Sequence, residues 1–180
     1  MTFIPEITTT VRVTANTDEL EQSLSIINND SILSECFGDV FEYLQEKKKE
    51  TEKLVDPTAL AVSESLSAYQ SAIIKMKHYK TGMMANSVDV MHDGDGVYLV
   101  GNTAMSVDGF PYPLAIEKGR REVTPVDAKV LRWFEGGLGG TPVFSKRSRA
   151  VKADPFVQPS IDDTMDDIDE VLSDFIERLI

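Results

Sequence analysis

Few residues in this chain of 180 could make or break bonds. His78 and His92 are its only histidines, and Cys36 is its single cysteine. Nucleophilic catalysis of the triad type needs a histidine beside a serine or cysteine, with an acid to orient it. Ser87 or Cys36 could serve as nucleophile, but no spacing in the sequence ties either to a histidine. His92-Asp93-Gly94-Asp95 reads instead as turn chemistry. A metal centre needs several donors close together. The densest candidates are Asp162, Asp163, Asp166, Asp167, Asp169 and Glu170, which lack the glycine turn and distal glutamate of a calcium loop. On a helix they form a polar face, with Asp162 and Asp163 near its positive end. The run Gly136-Gly137-Leu138-Gly139-Gly140 lacks the Gly-Lys-Ser/Thr ending of a phosphate-binding loop and does not lead from strand into helix. It reads as a mobile loop ending near Phe144. No catalytic residue, cofactor or metal is expected.

Charge is more informative. The formal net charge of -12 argues against nucleic-acid binding by the whole surface. The charge is unevenly distributed, however. From Glu117 to Lys152 nine basic residues face four acids, whereas from Asp162 onwards eight acids face only Arg178. Arg120, Arg121, Lys146, Arg147, Arg149 and Lys152 are therefore candidates for subunit contacts with acids such as Asp162, Asp163, Asp166 and Asp167 of a neighbouring copy. The alternative is a DNA-binding regulatory or packaging-associated module using residues 146–152. That segment carries no interleaved aromatics for base stacking.

The elements that would position these residues follow from periodicity. Ile7 to Thr14 is rich in Thr and Val and reads as a strand. Asn16 and Glu19 resemble a capping pair opening a helix with Leu20, Leu24 and Ile27 on one face. A second helix starts at Ser31, with Leu33, Phe37, Val40, Phe41 and Leu44 at helical spacing and a charged tail from Glu46 to Lys53. Asp56-Pro57 signals a new helix start, giving a long helix to about Tyr79 with a stripe of Leu60, Leu66, Tyr69, Ile73 and Met76. Asn86 to His92 and Val97 to Gly101 form a hairpin around an Asp-Gly turn. A third strand is expected at Tyr112 to Lys118, and a short helix from Pro125 holding Val130, Leu131, Trp133 and Phe134. The stretch to Asp154 reads as extended. Ser160 caps a last helix whose apolar side holds Ile161, Met165, Ile168, Leu172, Phe175 and Leu179. The class is α+β: N-terminal helices with a long central helix, a mainly antiparallel sheet and a closing C-terminal helix. One domain over 1–180 is expected, with 1–55 an extension packed on a core of 57–180. No apolar run approaches the ~20 residues of a membrane span. No secretory signal is apparent, and a lone cysteine suits a reducing cytoplasm.

Three stretches carry a resemblance. Thr81-Gly82-Met83-Met84-Ala85-Asn86-Ser87-Val88 follows the long helix. Tyr112-Pro113-Leu114-Ala115-Ile116-Glu117-Lys118-Gly119 comes next, and Asp154-Pro155-Phe156-Val157-Gln158-Pro159-Ser160 precedes the last helix. In this order they resemble the tail-component (neck, head–tail joining) family of long-tailed bacteriophages, and more loosely the lambda-type minor tail protein Z. The family pattern is Thr-Gly-x-Leu-x-x-Ser-Ile, then Tyr-Ala-x-x-x-Glu-x-Gly, then Pro-Phe-x-x-Pro-Ala. Here Met84 takes the Leu position and Ser160 the final Ala, and Pro113-Leu114 intervene before Ala115. The matched positions are Thr81, Gly82, Ser87, Glu117, Gly119, Pro155, Phe156 and Pro159, which read physically as scaffold joints. The resemblance spans about residues 57–180. It implies a virion structural protein of the head–tail junction, assembled in the host cytoplasm. It further implies a homo-oligomeric ring, hexamer favoured over dodecamer. The ring's partners would be portal/adaptor or head-closure proteins and tail terminator or tail-tube proteins. Genomic DNA would pass through without sequence recognition, and no membrane is involved.

Overall fold

A computed structural model describes residues 3, 7–29, 38–78, 82–105, 109–135 and 141–177. In chain order these form β1 (Thr9–Arg12), α1 (Asp18–Asn29), α2 (Gly38–His78), β2 (Val88–Gly94), β3 (Val97–Asn102), α3 (Tyr112–Glu117), β4 (Leu131–Glu135), β5 (Thr141–Ser145) and α4 (Val157–Glu177). A 3-10 turn, Ala85–Ser87, precedes β2. The α+β class holds, with α2 as the long central helix. β1, β3 and β2 form an antiparallel sheet with β3 in the middle. β4 and β5 pair antiparallel as a separate ribbon, Leu131 opposite Ser145 and Glu135 opposite Thr141.

The chain divides into two compact units, of residues 1–9, 66–90 and 100–163, and of residues 10–65, 91–99 and 164–180. The first unit is built around Ile7, Ile73, Ile74, Ala85 and Phe156, with Met84, Val88, Leu114, Ile116 and Val157 packed against them. Here the start of α4 lies on the last turns of α2. In the second unit α4 again packs on α2, where Ser65 Oγ donates to Asp167 Oδ2 at 3.5 Å. Also in this unit, Leu24 of α1 is buried, and Asn16 Oδ1 accepts from the Asp18 amide at the start of α1.

Four local expectations are corrected. Asp56-Pro57 does not start a helix, because α2 runs unbroken from Gly38 to His78 with Pro57 inside it. An internal proline removes one backbone bond and costs about 3 kcal/mol. Burial of the flanking side chains outweighs that local signal: Thr58, Ala59 and Val62 are buried, and Thr58 Oγ1 donates to Leu54 O at 2.8 Å. Tyr112 to Glu117 is a helix rather than a strand, with Pro113 in the first turn, where its missing N–H is not needed. Leu131 to Glu135 is a strand rather than a helix, its backbone groups taken by β5, and Phe144 lies in that partner strand. Met76 is solvent-exposed and Met165 and Leu172 are too, so the buried stripes of α2 and α4 differ from those expected. The expected helix start at Ser31 and the run 136–140 lie outside the described residues, as do Thr81 and Cys36.

Candidate functional site

The described residues of the three stretches, 82–88, 112–119 and 154–160, lie in the first unit. Gly82, at φ 72, accepts a hydrogen bond from the Asn86 amide (2.9 Å) and opens the turn that leads into β2. Ser87 Oγ donates to Met83 O at 2.6 Å, and Ser87 O accepts from the Thr103 amide at 2.9 Å. Asn102, fully buried at the end of β3, uses both ends of its amide. Its Nδ2 donates to Met84 O (2.6 Å), while its Oδ1 accepts from the Ala104 amide (2.9 Å). Ala85 and Met84 thus enter the same core as Leu114 and Ile116 from the second stretch and Phe156 and Val157 from the third.

The second and third stretches are joined more directly. Glu117 Oε2 accepts from the amides of Phe156 (2.8 Å) and Val157 (3.2 Å). These are among the N-terminal donors that α4 cannot satisfy internally, and a carboxylate suits the positive end of the helix. The Asp154 amide donates to Ile116 O at 2.9 Å, and Lys77 Nζ, in the last turn of α2, lies 3.4 Å from Asp154 Oδ1. Gly119 permits the close approach that follows. Its φ is +75, and a Cβ there would sit 2.8 Å from Ala153 N. Ser160, expected as the cap of α4, lies instead within its first turn, fully buried, its Oγ donating to Val157 O. Pro155 is exposed and Pro159 half-buried, on either side of the buried Phe156. The Glu117 bonds are charge-assisted, a class worth about 1.5–3 kcal/mol. Glu117→Ala is therefore expected to lower the thermal midpoint by roughly 4–10 °C. Glu117→Gln, which keeps an acceptor, should recover much of that. Differential scanning calorimetry on both variants checks it.

No protein-family model, curated protein or solved structure matches the chain.

The basic segment is bridged to the stretch after α3. Arg120 and Val151 exchange backbone hydrogen bonds at 2.8 Å, as do Val123 and Ser148 at 3.0 and 2.8 Å. Arg120 is engaged within the chain: its Nη2 donates to Ser148 Oγ (2.6 Å) and Arg149 O (3.3 Å), and its guanidinium lies 6.0 Å from the Phe110 ring centre. Arg147 Nη1 lies 3.6 Å from Glu122 Oε2, an exposed pair of small energetic weight. The side chains of Arg121, Lys146, Arg149 and Lys152 are exposed, as are those of Asp162, Asp163 and Asp166 on α4. Asp162 accepts from Gln158 Nε2 at 2.8 Å, and Asp167 is half-buried.

One cluster escaped the sequence reading. In the second unit, Asp56 Oδ1 accepts from the Gly96 amide (3.2 Å) and Oδ2 from the Tyr98 hydroxyl (3.0 Å). His92 Nε2 lies 3.4 Å from Asp56 Oδ1, and its ring meets that of Tyr98 edge to face at 5.0 Å. The tyrosine hydroxyl thus bonds the acid rather than the histidine, so the trio holds the hairpin tip to α2 and is not a nucleophile–base–acid relay. The only local clue, Asp56 before Pro57, points to a helix cap, and nothing nearby links position 56 to position 96. The Gly96 amide, followed by the Tyr98 hydroxyl and His92, holds the Asp56 carboxyl below the usual carboxylate range. Burial, then the neighbouring Asp56, pushes the Tyr98 hydroxyl up. A lowered carboxyl pKa contributes stability above its unfolded value near about 4, and that stability is lost as pH falls through the folded value. Asp56→Asn is thus expected to be less stable than the wild type at neutral pH and to converge with it in acid. Thermal midpoints followed from neutral pH downwards test this; parallel curves would refute it.

Among the described residues no group of three or more His, Cys, Asp or Glu is arranged to hold a metal ion. No described helix is long and apolar enough to cross a membrane. Two shallow surface depressions, on α1 and on α2, are lined by polar and charged side chains such as Glu21, Gln22, Glu46 and Lys49. Neither has the apolar floor with convergent polar groups that marks a small-molecule site.

Proposed function

We propose that this chain is a structural protein of the bacteriophage virion, forming a ring at the head–tail junction between the portal/adaptor complex and the tail. The observation that carries the reading is the ordered set of three stretches resembling the neck and tail-component family. Its residues Ala85, Ile116 and Phe156 belong to one core, and Glu117 ties the second stretch to the third. Such a joint, a carboxylate holding the backbone amides at the start of α4, is scaffold chemistry. A net charge of -12 also suits a subunit lining a DNA path, because repulsion of phosphates keeps the genome from sticking.

The test is genetic. Disrupting the gene in the phage that encodes it is expected to yield DNA-filled heads and complete tails that stay unjoined under the electron microscope, with joining restored by supply from a plasmid. Intact virions from the disrupted phage would overturn the proposal. The exposed Lys146, Arg149 and Lys152 favour one second reading, a DNA-binding module. That reading requires salt-dependent DNA affinity whose slope falls when these side chains are removed.

A further inference from the structure

We infer that the outward face of α4 is a docking seam for the basic arm and β4–β5 ribbon of a second copy of this chain. The inference rests on the ring-forming reading above and names the contact from which such a ring would be built. Ile161, Met165, Ile168 and Leu172 recur at steps of four, three and four, the spacing of a helical seam. Yet the buried positions are others, Ser160 and Thr164 within α4 and Phe156 just before it, while Ile161 and Ile168 are half-buried. Met165 is left 57 % exposed, Leu172 41 % and Ile176 54 %. A helix that buries a serine and a threonine while presenting Met, Leu and Ile to solvent has an apolar face still to be covered.

The charges beside the seam decide what covers it. Every charged residue of α4 within Val157–Glu177 is acidic. Pairing with the same helix of another copy would set like charges along both flanks. The complementary surface must combine apolar and positive groups. Lys47 and Lys48 on α2 do not meet that need: they pair with Glu50, Glu21 and Glu52 and are only 29 % and 26 % exposed, whereas Arg147, though 3.6 Å from Glu122, is 69 % exposed. The β4–β5 ribbon does. Phe144 is 59 % exposed and stands directly opposite Arg132 in the ladder, its ring 5.9 Å from the guanidinium. Lys146, Arg147 and Arg149 follow at once, all exposed. The two surfaces differ, so the contact is heterologous: each copy offers a seam to one neighbour and a basic arm to the other, and the chain of contacts can close into a ring.

The experiment uses charge exchange on the full chain. One variant carries Lys146→Glu, Arg147→Glu and Arg149→Glu; the other carries Asp166→Lys, Asp169→Lys and Glu170→Lys. Each alone has two surfaces of like sign and is expected to run as a monomer by light scattering, with a circular dichroism spectrum like that of the wild type. An equimolar mixture is expected to assemble by alternation: the acidic arm of the first variant meets the basic helix of the second, and the unchanged basic arm of the second meets the unchanged acidic helix of the first. Leu172→Asp should prevent assembly with no rescue by mixing. As an independent readout, Phe144→Cys and Met165→Cys together in a Cys36→Ser background should give a ladder of cross-linked multimers under oxidation, and neither alone should. Wild-type protein that stays monomeric up to millimolar concentration, single variants that assemble normally, a mixture that does not assemble, or a missing ladder would each overturn the seam. A wild-type ring indifferent to these changes would remove the seam and leave the joining role standing. Normal virions after gene disruption would do the reverse.

Discussion

Replacing Phe156 by alanine is expected to cost about 3–5 kcal/mol of folding stability. The ring is wholly buried, and around it lie Ile7 near the N-terminus, Ile73 and Ile74 of α2 and Ala85 of the turn before β2. Removing it takes away the transfer free energy of a phenyl ring and leaves a cavity whose walls, the last turns of α2 among them, cannot collapse freely. Domains of this kind hold only about 5–15 kcal/mol in total, so the variant keeps a small margin or none. Phe156→Leu fills most of the space and should cost less than about 1.5 kcal/mol. Urea unfolding of the two variants separates them: a near-equal loss would mean that the site does not depend on shape, and a loss below about 1 kcal/mol for alanine would show that the core is not anchored there.

Gly96→Ala is expected to be nearly as damaging, for a reason rooted in backbone rather than core. Gly96 has φ +66, a left-handed conformation that costs an L-residue about 1–2 kcal/mol. A Cβ at this position would also lie 2.6 Å from Val13 O and 2.6 Å from Val55 Cγ1. Relieving those overlaps means moving the hairpin tip, which disturbs the bond from the Val13 amide to Gly96 O (2.9 Å) and the one from the Gly96 amide to Asp56. Together the strain and overpacking amount to roughly 3–4 kcal/mol. Gly38→Ala is the control, since among the described residues nothing lies within 4 Å of the place its Cβ would take. Chemical denaturation should show the first variant strongly destabilised and the second close to the wild type.

How much of this could be read from the residues depended on whether the cause was local. The Thr and Val of β1, the Asp-Gly hairpin and the amphipathic α4 carry their own propensities and turn chemistry, and all three elements are present. Asp56-Pro57 misled because its carboxylate is committed to Gly96 and Tyr98, forty residues and more away in sequence. Leu131, Trp133 and Phe134 fit a helical face as well as a strand, and only the partner β5 decides between them. Tyr112-Pro113-Leu114-Ala115-Ile116 is a short apolar run that periodicity alone cannot assign, yet its proline fits the first turn of a helix and the Lys118 amide closes on Leu114 O at 3.0 Å. At the candidate joint, residue types marked Glu117, Gly119 and Phe156 as structural punctuation. The distance from the Glu117 carboxylate to the α4 amides is a tertiary fact that no spacing in the chain encodes. The apolar seam of α4 was legible as a stripe, but which half of the helix faces inward was not, because small polar residues allow an approach that larger apolar ones do not.

The place of β1 in the sheet sets an order of events on the ribosome. Among the described elements β1 is synthesised first, yet its neighbour in the sheet is β3, which emerges only after α1, the whole of α2 and β2 have been made. Translation adds about 5–20 residues per second, so the first strand spends seconds with its backbone unpaired beside the growing chain. Its polar, threonine-rich composition over Thr9–Arg12, ending in a charged arginine, is the kind that tolerates such a wait without recruiting a stray partner.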